Sequence, residues 1–374
     1  MAALWIAGCD GPALSEDAGA DGGAVDGGGP GDAGPAGCET EGCDAGYACV
    51  RSVCIADCGG DVSAFDAALG EGLVPVAHFC RGASAFATQV ADGDVTVFDL
   101  SASTEGTVTT LTLSRWALDP ASAPAPSAVG TFDVDAEDSG DLVFAGGYLD
   151  LDPEGGQALF GYTRSATGSP GEIVRMSLED GVASKEAAPG NFDAAWTDAD
   201  HYLVNGFGLG SLDEGQGLYA ADLATADRVV HIGTGFGTYS GSVAVGPDFI
   251  LAAGVGDDFS SQTRLIPRAA YEAALESGTP IDLGTLSEVL DPSGAPVPST
   301  FSLVHGRLVT AAFGGPITSY ATAVADGAIT LSDARVLATG MTFTDVLAAG
   351  DGHLLLARYD STTFAVVSLL LVRM

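Results

Sequence analysis

Six times along the chain one local design returns: a strand-like run with an aromatic residue, a short turn ending in a polar side chain, then apolar residues followed by small ones. Phe86 leads to Asp94 and Val95-Thr96-Val97-Phe98, and Phe132 leads to Asp141 and Leu142-Val143-Phe144-Ala145-Gly146-Gly147. Phe192 leads to His201 and Tyr202-Leu203-Val204, and Tyr239 leads to Asp248 and Phe249-Ile250-Leu251-Ala252-Ala253-Gly254. Phe301 leads to Arg307 and Leu308-Val309-Thr310, and Phe343 leads to His353 and Leu354-Leu355-Leu356-Ala357. The turn-end positions 94, 141, 201, 248, 307 and 353 recur at a mean spacing of about 52 residues. Short Val, Phe, Leu and Thr-rich runs broken by Gly, Asp, Pro and Ser fill the intervals, so each repeat is built of β-strands.

A four-stranded antiparallel sheet with its turns takes roughly 40 to 50 residues, which makes each repeat one propeller blade with room for insertions. The expectation is an all-β chain, with residues 61–374 forming a six-bladed β-propeller. Five or seven blades, or a two-sheet β-sandwich, are the alternatives. Small residues behind the apolar runs suit strands that converge on an axis. The last repeat has room for three strands, around Phe343, over 354–359 and over 363–373. The spare run Leu73-Val74-Pro75-Val76-Ala77-His78-Phe79 is therefore expected as its outer strand, closing the ring and removing exposed sheet edges. Pro75 suits an outer strand because it has no ladder N–H. Val62 to Leu69 and Pro267 to Ser277 carry helical spacing instead.

The N-terminal part is of another kind. Residues 1–9 end in Leu4-Trp5-Ile6-Ala7-Gly8-Cys9, an apolar run followed by two small residues and a cysteine. Ile6-Ala7-Gly8-Cys9 resembles a bacterial lipobox, departing from it in Ile6 in place of the commoner leucine and in the absence of a charged n-region, which a start codon placed too late would explain. The resemblance implies cleavage before Cys9, a diacylglycerol on its thiol and an acylated new amine. Residues 10–37 are almost wholly Gly, Ala, Asp, Pro and Ser, with Asp10, Glu16, Asp17, Asp21, Asp26 and Asp32 and no base. That composition predicts a disordered acidic tether.

Residues 38–60 form a small Cys-rich module. Cys38, Cys43, Cys49, Cys54, Cys58 and Cys80 make an even set in a segment too short to bury a core, which points to disulfides in an oxidising compartment. Structural zinc favours Cys-x2-Cys knuckles, and the spacing here contains none. Spacing leaves the connectivity open; the preferred pairing is Cys38 with Cys49, Cys43 with Cys54, and Cys58 with Cys80. The stretch Gly42 to Cys54 resembles the short Cys-rich repeats behind the linkers of bacterial surface lipoproteins.

Charge limits the partners. With 13 basic and 50 acidic residues the net charge is −37, and Lys185 is the single lysine. Such a polyanion is repelled by nucleic acid and by anionic lipid headgroups, so membrane contact is expected through the N-terminal lipid alone. The sequence has no Gly-x-Ser-x-Gly elbow, no phosphate loop and no paired-histidine metal motif. His201, His353, Asp141 and Arg307 share the turn-end slot and are candidate polar residues of one rim or of the channel. Asp133, Asp193 and Asp345 follow strand aromatics, and alternation could aim them at the channel, where calcium would be the cofactor to hold them together. Asp133 to Asp141 and Asp150, Asp152 and Glu154 form two further acidic patches. The functional expectation is a surface-facing or periplasm-facing lipoprotein of the cell envelope, at the outer membrane or cell surface, whose propeller binds a protein or glycan. A calcium-assisted hydrolase or lyase using channel carboxylates, and a passive envelope component, are the alternatives.

Overall fold

The computed structural model describes residues 38, 42–57, 67–80, 85–91, 94–117, 126–136, 143–164, 172–186, 191–207, 216–223, 228–234, 239–255, 260–304, 306–311, 315–339, 343–348, 353–360 and 365–374. The tether and Cys9 lie outside them, as does the start of the helical run expected from Val62. The fold is all-β, a six-bladed propeller.

Each blade is an antiparallel meander. The first holds β4 (Ala85–Ala91), β5 (Asp94–Glu105), β6 (Val108–Ala117) and β7 (Pro126–Asp135). The second holds β8 (Val143–Leu151), β9 (Gln157–Arg164), β10 (Glu172–Ser177) and β11 (Ala183–Glu186). The third holds β12 (Asn191–Trp196), β13 (His201–Phe207), β14 (Gln216–Asp222) and β15 (Arg228–Thr234), extended by a parallel strand, β19 (Ile281–Asp282). The fourth holds β16 (Tyr239–Val245), β17 (Phe249–Val255) and β18 (Ser261–Pro267). Its outer edge is met by an irregular segment, in which Val289 N–H donates to Thr263 and Leu265 N–H donates to Ser287. The fifth holds β20 (Thr300–Val304), β21 (Arg307–Ala311), β22 (Ile317–Ala325) and β23 (Ala328–Ala338), and the sixth holds β24 (Phe343–Ala348), β25 (His353–Asp360) and β26 (Ala365–Arg373).

The apolar runs are continuous rather than alternating because the middle strands are buried on both faces, one against each neighbouring blade. On β13, Tyr202 and Val204 pack with Tyr148, Leu159 and Ile173 of the second blade, while Leu203 packs with Ile250, Ala252 and Ile266 of the fourth. All three are fully buried. One apolar cluster fills each gap in turn around the ring, and Phe79, Val97, Trp116, Leu355 and Leu369 fill the gap between last and first blades. The Pro267 to Ser277 run forms helix α1 (Arg268–Ser277), which follows Pro267 and ends on Gly278, whose φ of 69° no β-branched residue would adopt without strain. Its buried face, Tyr271 and Ala274, packs on the third and fourth blades.

Ring closure is made by the N-terminal segment. Strand β3 (Val74–Phe79) pairs antiparallel with β26 as the outer strand of the sixth blade, Phe79 opposite Leu369 and Val74 opposite Arg373. Pro75 lies opposite Val372, beside a register shift between Leu371 and Val372, on an outer strand of the kind that accepts proline. Ahead of it, β1 (Tyr47–Val50) and β2 (Val53–Ala56) form a hairpin whose two-residue turn, Arg51 and Ser52, has positive φ at both positions. Disulfides join Cys38 to Cys49 and Cys43 to Cys54. Each closes a short loop, worth roughly 2–3 kcal/mol in the chain-entropy account. Cys80, directly after β3, is also disulfide-bonded, and Cys58 lies outside the described residues.

The hairpin is not a separate bead. Val50 and Ile55 are buried in one cluster with Leu69, Leu73, Val304, Leu354 and Leu370, between the fifth and sixth blades. Arg51 donates to three carbonyls just ahead of β3, those of Leu69 (2.8 Å), Gly70 (2.8 Å) and Leu73 (2.6 Å). His78 on β3 sits 2.7 Å from the Ala56 carbonyl through Nδ1 and 2.8 Å from Ser368 Oγ on β26 through Nε2. Burial lowers the His78 pKa below the ordinary histidine value, with Arg358 adding to that and the Ala56 carbonyl and Asp57 opposing it.

Candidate functional site

The turn-end slot is the first residue of each blade's second strand. The described strands place Asp94, Gln157, His201, Phe249, Arg307 and His353 there. Two of the sequence assignments shift. In the second blade the slot belongs to Gln157, because the run from Leu142 to Gly147 leads into the innermost strand, β8, and Asp141 itself lies outside the described residues. Of the paired glycines, Gly146 serves a close approach. A Cβ on Gly146 would lie 2.8 Å from the Gly161 backbone, beside a register shift between Ala145 and Leu149. In the fourth blade Phe249 takes the slot and Asp248 is the exposed residue before it.

The three carboxylates offered for a calcium site occupy different parts of the fold. Asp133 lies on β7, the outermost strand of the first blade, exposed and accepting a hydrogen bond from Thr110 (2.7 Å). Asp193 lies on β12 and Asp345 on β24, both innermost strands, and each follows a register shift; the Asp345 side chain is outside the described set. An outer-strand carboxylate cannot meet an inner-strand one across three intervening ladders, so Asp133 and Asp193 do not share an ion. Asp133 was mis-set because Phe132 belongs to the end of the first blade, not to an inner strand.

Asp193 has a structural task. Its Oδ1 accepts from Ala194 N–H (3.0 Å), and its Oδ2 reaches across to accept from Val243 N–H on β16 (2.8 Å). The motif recurs around the axis. Asp150 on β8 accepts from Trp196 N–H on β12 (2.8 Å), and Ser242 on β16 accepts through Oγ from Phe301 N–H on β20 (3.3 Å). Asn205, opposite Asp193 and fully buried, donates to the carbonyls of Gly241 (2.7 Å) and Ala253 (2.8 Å) of the fourth blade. These short polar side chains tie one blade to the next by satisfying backbone N–H and C=O groups there, in the case of Val243 beside a register shift of β16. Burial pushes the Asp150 carboxyl up to about 6, against the pull of the Trp196 and Leu151 N–H groups. Asp193→Ala is expected to cost about 1–3 kcal/mol, since two N–H groups lose their acceptor. Urea unfolding checks this, and an unchanged midpoint would contradict the latch.

At the turn between β12 and β13 lies a polar cluster around the rim candidate His201. Asp198 Oδ1 is 2.7 Å from His201 Nδ1, so that nitrogen carries the hydrogen, and His201 Nε2 faces Asp222 Oδ1 at 3.9 Å. Arg268, the first residue of α1, donates to the Thr197 carbonyl (3.0 Å), reaches Asp198 (3.5 Å) and Glu272 (3.3 Å), and lies 5.3 Å over the Tyr271 ring. Tyr271 Oη and Thr197 Oγ1 are 3.0 Å apart. The cluster docks the inserted helix onto the third blade. It also leaves the His201 side chain 23 % exposed among Asp198, Asp200 and Asp222, a surface that attracts cationic groups.

The other rim candidates are separate. Arg307 braces its own blade, donating to the Asp333 carboxylate (3.1 Å), the Asp333 carbonyl (2.6 Å) and Ser319 Oγ (3.3 Å). Arg335 and Arg307 hold Asp333 below the usual carboxylate range. His353 opens β25, opposite Arg373 on β26. The acidic run from Asp150 resolves into a blade latch, a turn cap at Asp152, which accepts from Gly156 N–H (2.6 Å) and Gln157 N–H (3.1 Å), and exposed Glu154. Asp198, Asp222, Arg268, Asn205 and Ser242 were missed. The helical run at Pro267 flagged where Arg268 sits, but which turn it meets depends on the fold.

No protein-family model and no curated protein matches the sequence. Among solved structures the chain is similar to TolB from Acinetobacter baumannii, at 14% identity over 67% of this chain and 53% of that one, with a TM-score of 0.40. It is similar to the β-propeller domain of the Trilobed protease from Pyrococcus furiosus, at 12% identity over 77% of this chain and 94% of that one, with a TM-score of 0.39. It is similar to the Pyrococcus horikoshii acylaminoacyl peptidase, at 11% identity over 77% of this chain and 50% of that one, with a TM-score of 0.41. The chain thus spans about half the length of the first and third. At such identities and scores these neighbours carry no argument about activity.

Proposed function

We propose that this chain is a lipid-anchored protein of the cell envelope whose propeller binds a protein or glycan outside the cytoplasm. The observation that carries the reading is the oxidised hairpin, Cys38–Cys49 and Cys43–Cys54 with Cys80 also bonded, built into the ring closure. Disulfides in that position belong to a chain that folds in an oxidising compartment. Cys9, with its small-residue approach and acidic tether, supplies the attachment.

Binding is favoured over catalysis because, among the described residues, the inner-strand carboxylates of Asp150 and Asp193 are spent on N–H groups of the next blade and the amide of Asn205 on β13 is spent on carbonyls of the next blade. Charge selects the ligand class: at −37 the chain attracts cationic or neutral surfaces and repels polyanions. Cys9→Ser is expected to move the protein from the membrane fraction to the soluble one. That soluble form should bind isolated envelope material saturably, with binding unchanged by a calcium chelator and no soluble product released. Membrane retention of Cys9→Ser would overturn the anchor, and chelator-sensitive product release would overturn the binding role.

A further inference from the structure

We propose that the disulfide hairpin is a redox-sensitive clamp on the propeller's ring closure, and that reduction by a dithiol releases β3 and opens the ring between the last and first blades. This inference does not depend on what the propeller binds.

The closure strand has six residues, as do β10, β12 and β24, and it is an outer strand. Five of the six pair, on one side only, with β26, and the pairing carries a register shift. The hairpin adds to that ladder. Arg51 gathers the carbonyls of Leu69, Gly70 and Leu73, which fixes the approach to β3. Gly70 N–H donates to the Leu337 carbonyl and Thr339 N–H to the Ala68 carbonyl, so the same approach is tied to β23 of the fifth blade. Gly70 lies so close to β23 that a Cβ would stand 2.1 Å from the Val336 carbonyl oxygen. Ala56 at the end of β2 holds His78 of β3 by Nδ1.

The hairpin cannot keep this geometry by itself. Two strands of four residues with a buried face of Val50 and Ile55 are marginal in water, and the two cross-links supply what the core lacks. Cys49, Cys54 and Cys80 are exposed, so a thiolate can reach the bonds. Each disulfide takes two electrons and two protons from one dithiol, which leaves as its own disulfide, and each cysteine pair becomes two thiols. Once the hairpin frays, Arg51 and Ala56 lose their fixed positions, and β3 keeps its ladder to β26, the His78–Ser368 contact, the packing of Phe79 and the bonds of its approach to β23.

Hydrogen exchange on the whole chain, oxidised or treated with dithiothreitol, tests this. After thiol titration shows Cys38, Cys43, Cys49, Cys54 and Cys80 reduced, amides of 74–79 should exchange at least tenfold faster while those of β8 to β10 are unchanged. Oxidised Arg51→Ala should speed exchange in 74–79 without any reductant. Unchanged protection of 74–79 in the reduced protein, equal loss across all blades, or unchanged exchange in Arg51→Ala would each overturn the clamp.

Discussion

Phe79→Ala is expected to destabilise the protein by about 3–5 kcal/mol, more than the loss of the Asp193 latch. Phe79 is 2% exposed and meets Trp116 of the first blade edge-on, with ring centroids 5.7 Å apart. It therefore loses its own buried area and a specific aromatic contact, and leaves a cavity. Its position makes the loss larger than its size. It belongs to the strand that closes the ring, and its cluster joins β3, β5, β6, β25 and β26 across the gap between last and first blades. Thermal or urea unfolding reads the effect. A loss below about 1 kcal/mol would show that the gap is not held by this cluster.

Asp150→Asn should act in the opposite direction. The asparagine oxygen can still accept from Trp196 N–H, while the charge that burial disfavours is gone. The Asp150 carboxyl is raised from 3.8 to about 6 in the folded protein, so the folded state holds a proton that the unfolded chain has released over that range. Stability contributed by this group is thus full below the unfolded value and falls as pH rises from 3.8 through about 6. At neutral pH the substitution is expected to stabilise on the order of 2 kcal/mol, and to flatten the decline between those two pH values. Equal or lower stability of Asp150→Asn at neutral pH would show that the carboxylate's charge is compensated.

The architecture was legible because a blade is a repeated physical problem. Each second strand is buried on both faces and so reads as an apolar run, as at Tyr202 to Val204 and Leu354 to Leu356, and its period is the blade's length. Where one blade solves the problem differently the frame slips. The second blade's inner strand carries Gly146, which allows a close approach to β9, and it imitated a second strand, which displaced Asp133 and gave Asp141 the slot that Gln157 holds. The closing strand was legible from arithmetic alone, since three strands in the last repeat require a fourth from elsewhere.

The inter-blade latches were not legible. Whether an aspartate such as Asp193 faces water or a neighbour's backbone depends on which N–H a register shift exposes one blade away, some 50 residues along the chain. Among abundant acids, Asp150 and Asp133 look alike in sequence. Only the three-dimensional setting separates the half-buried one from the exposed one. The His201 cluster was half legible. The histidine's slot was found by the repeat, while its partners Asp198, Asp222 and Arg268 come from a turn, the end of β14 and an inserted helix.

The most direct measurement of the central claim is the intact mass of the protein taken from the envelope of cells that make it, alkylated without reduction. The account predicts a chain that starts at Cys9 and carries a diacylglycerol and an amide-linked acyl chain. It predicts no alkylated thiol at Cys38, Cys43, Cys49, Cys54, Cys58 or Cys80. A chain that keeps the residues before Cys9 and carries an alkylated thiol at Cys9 would contradict it.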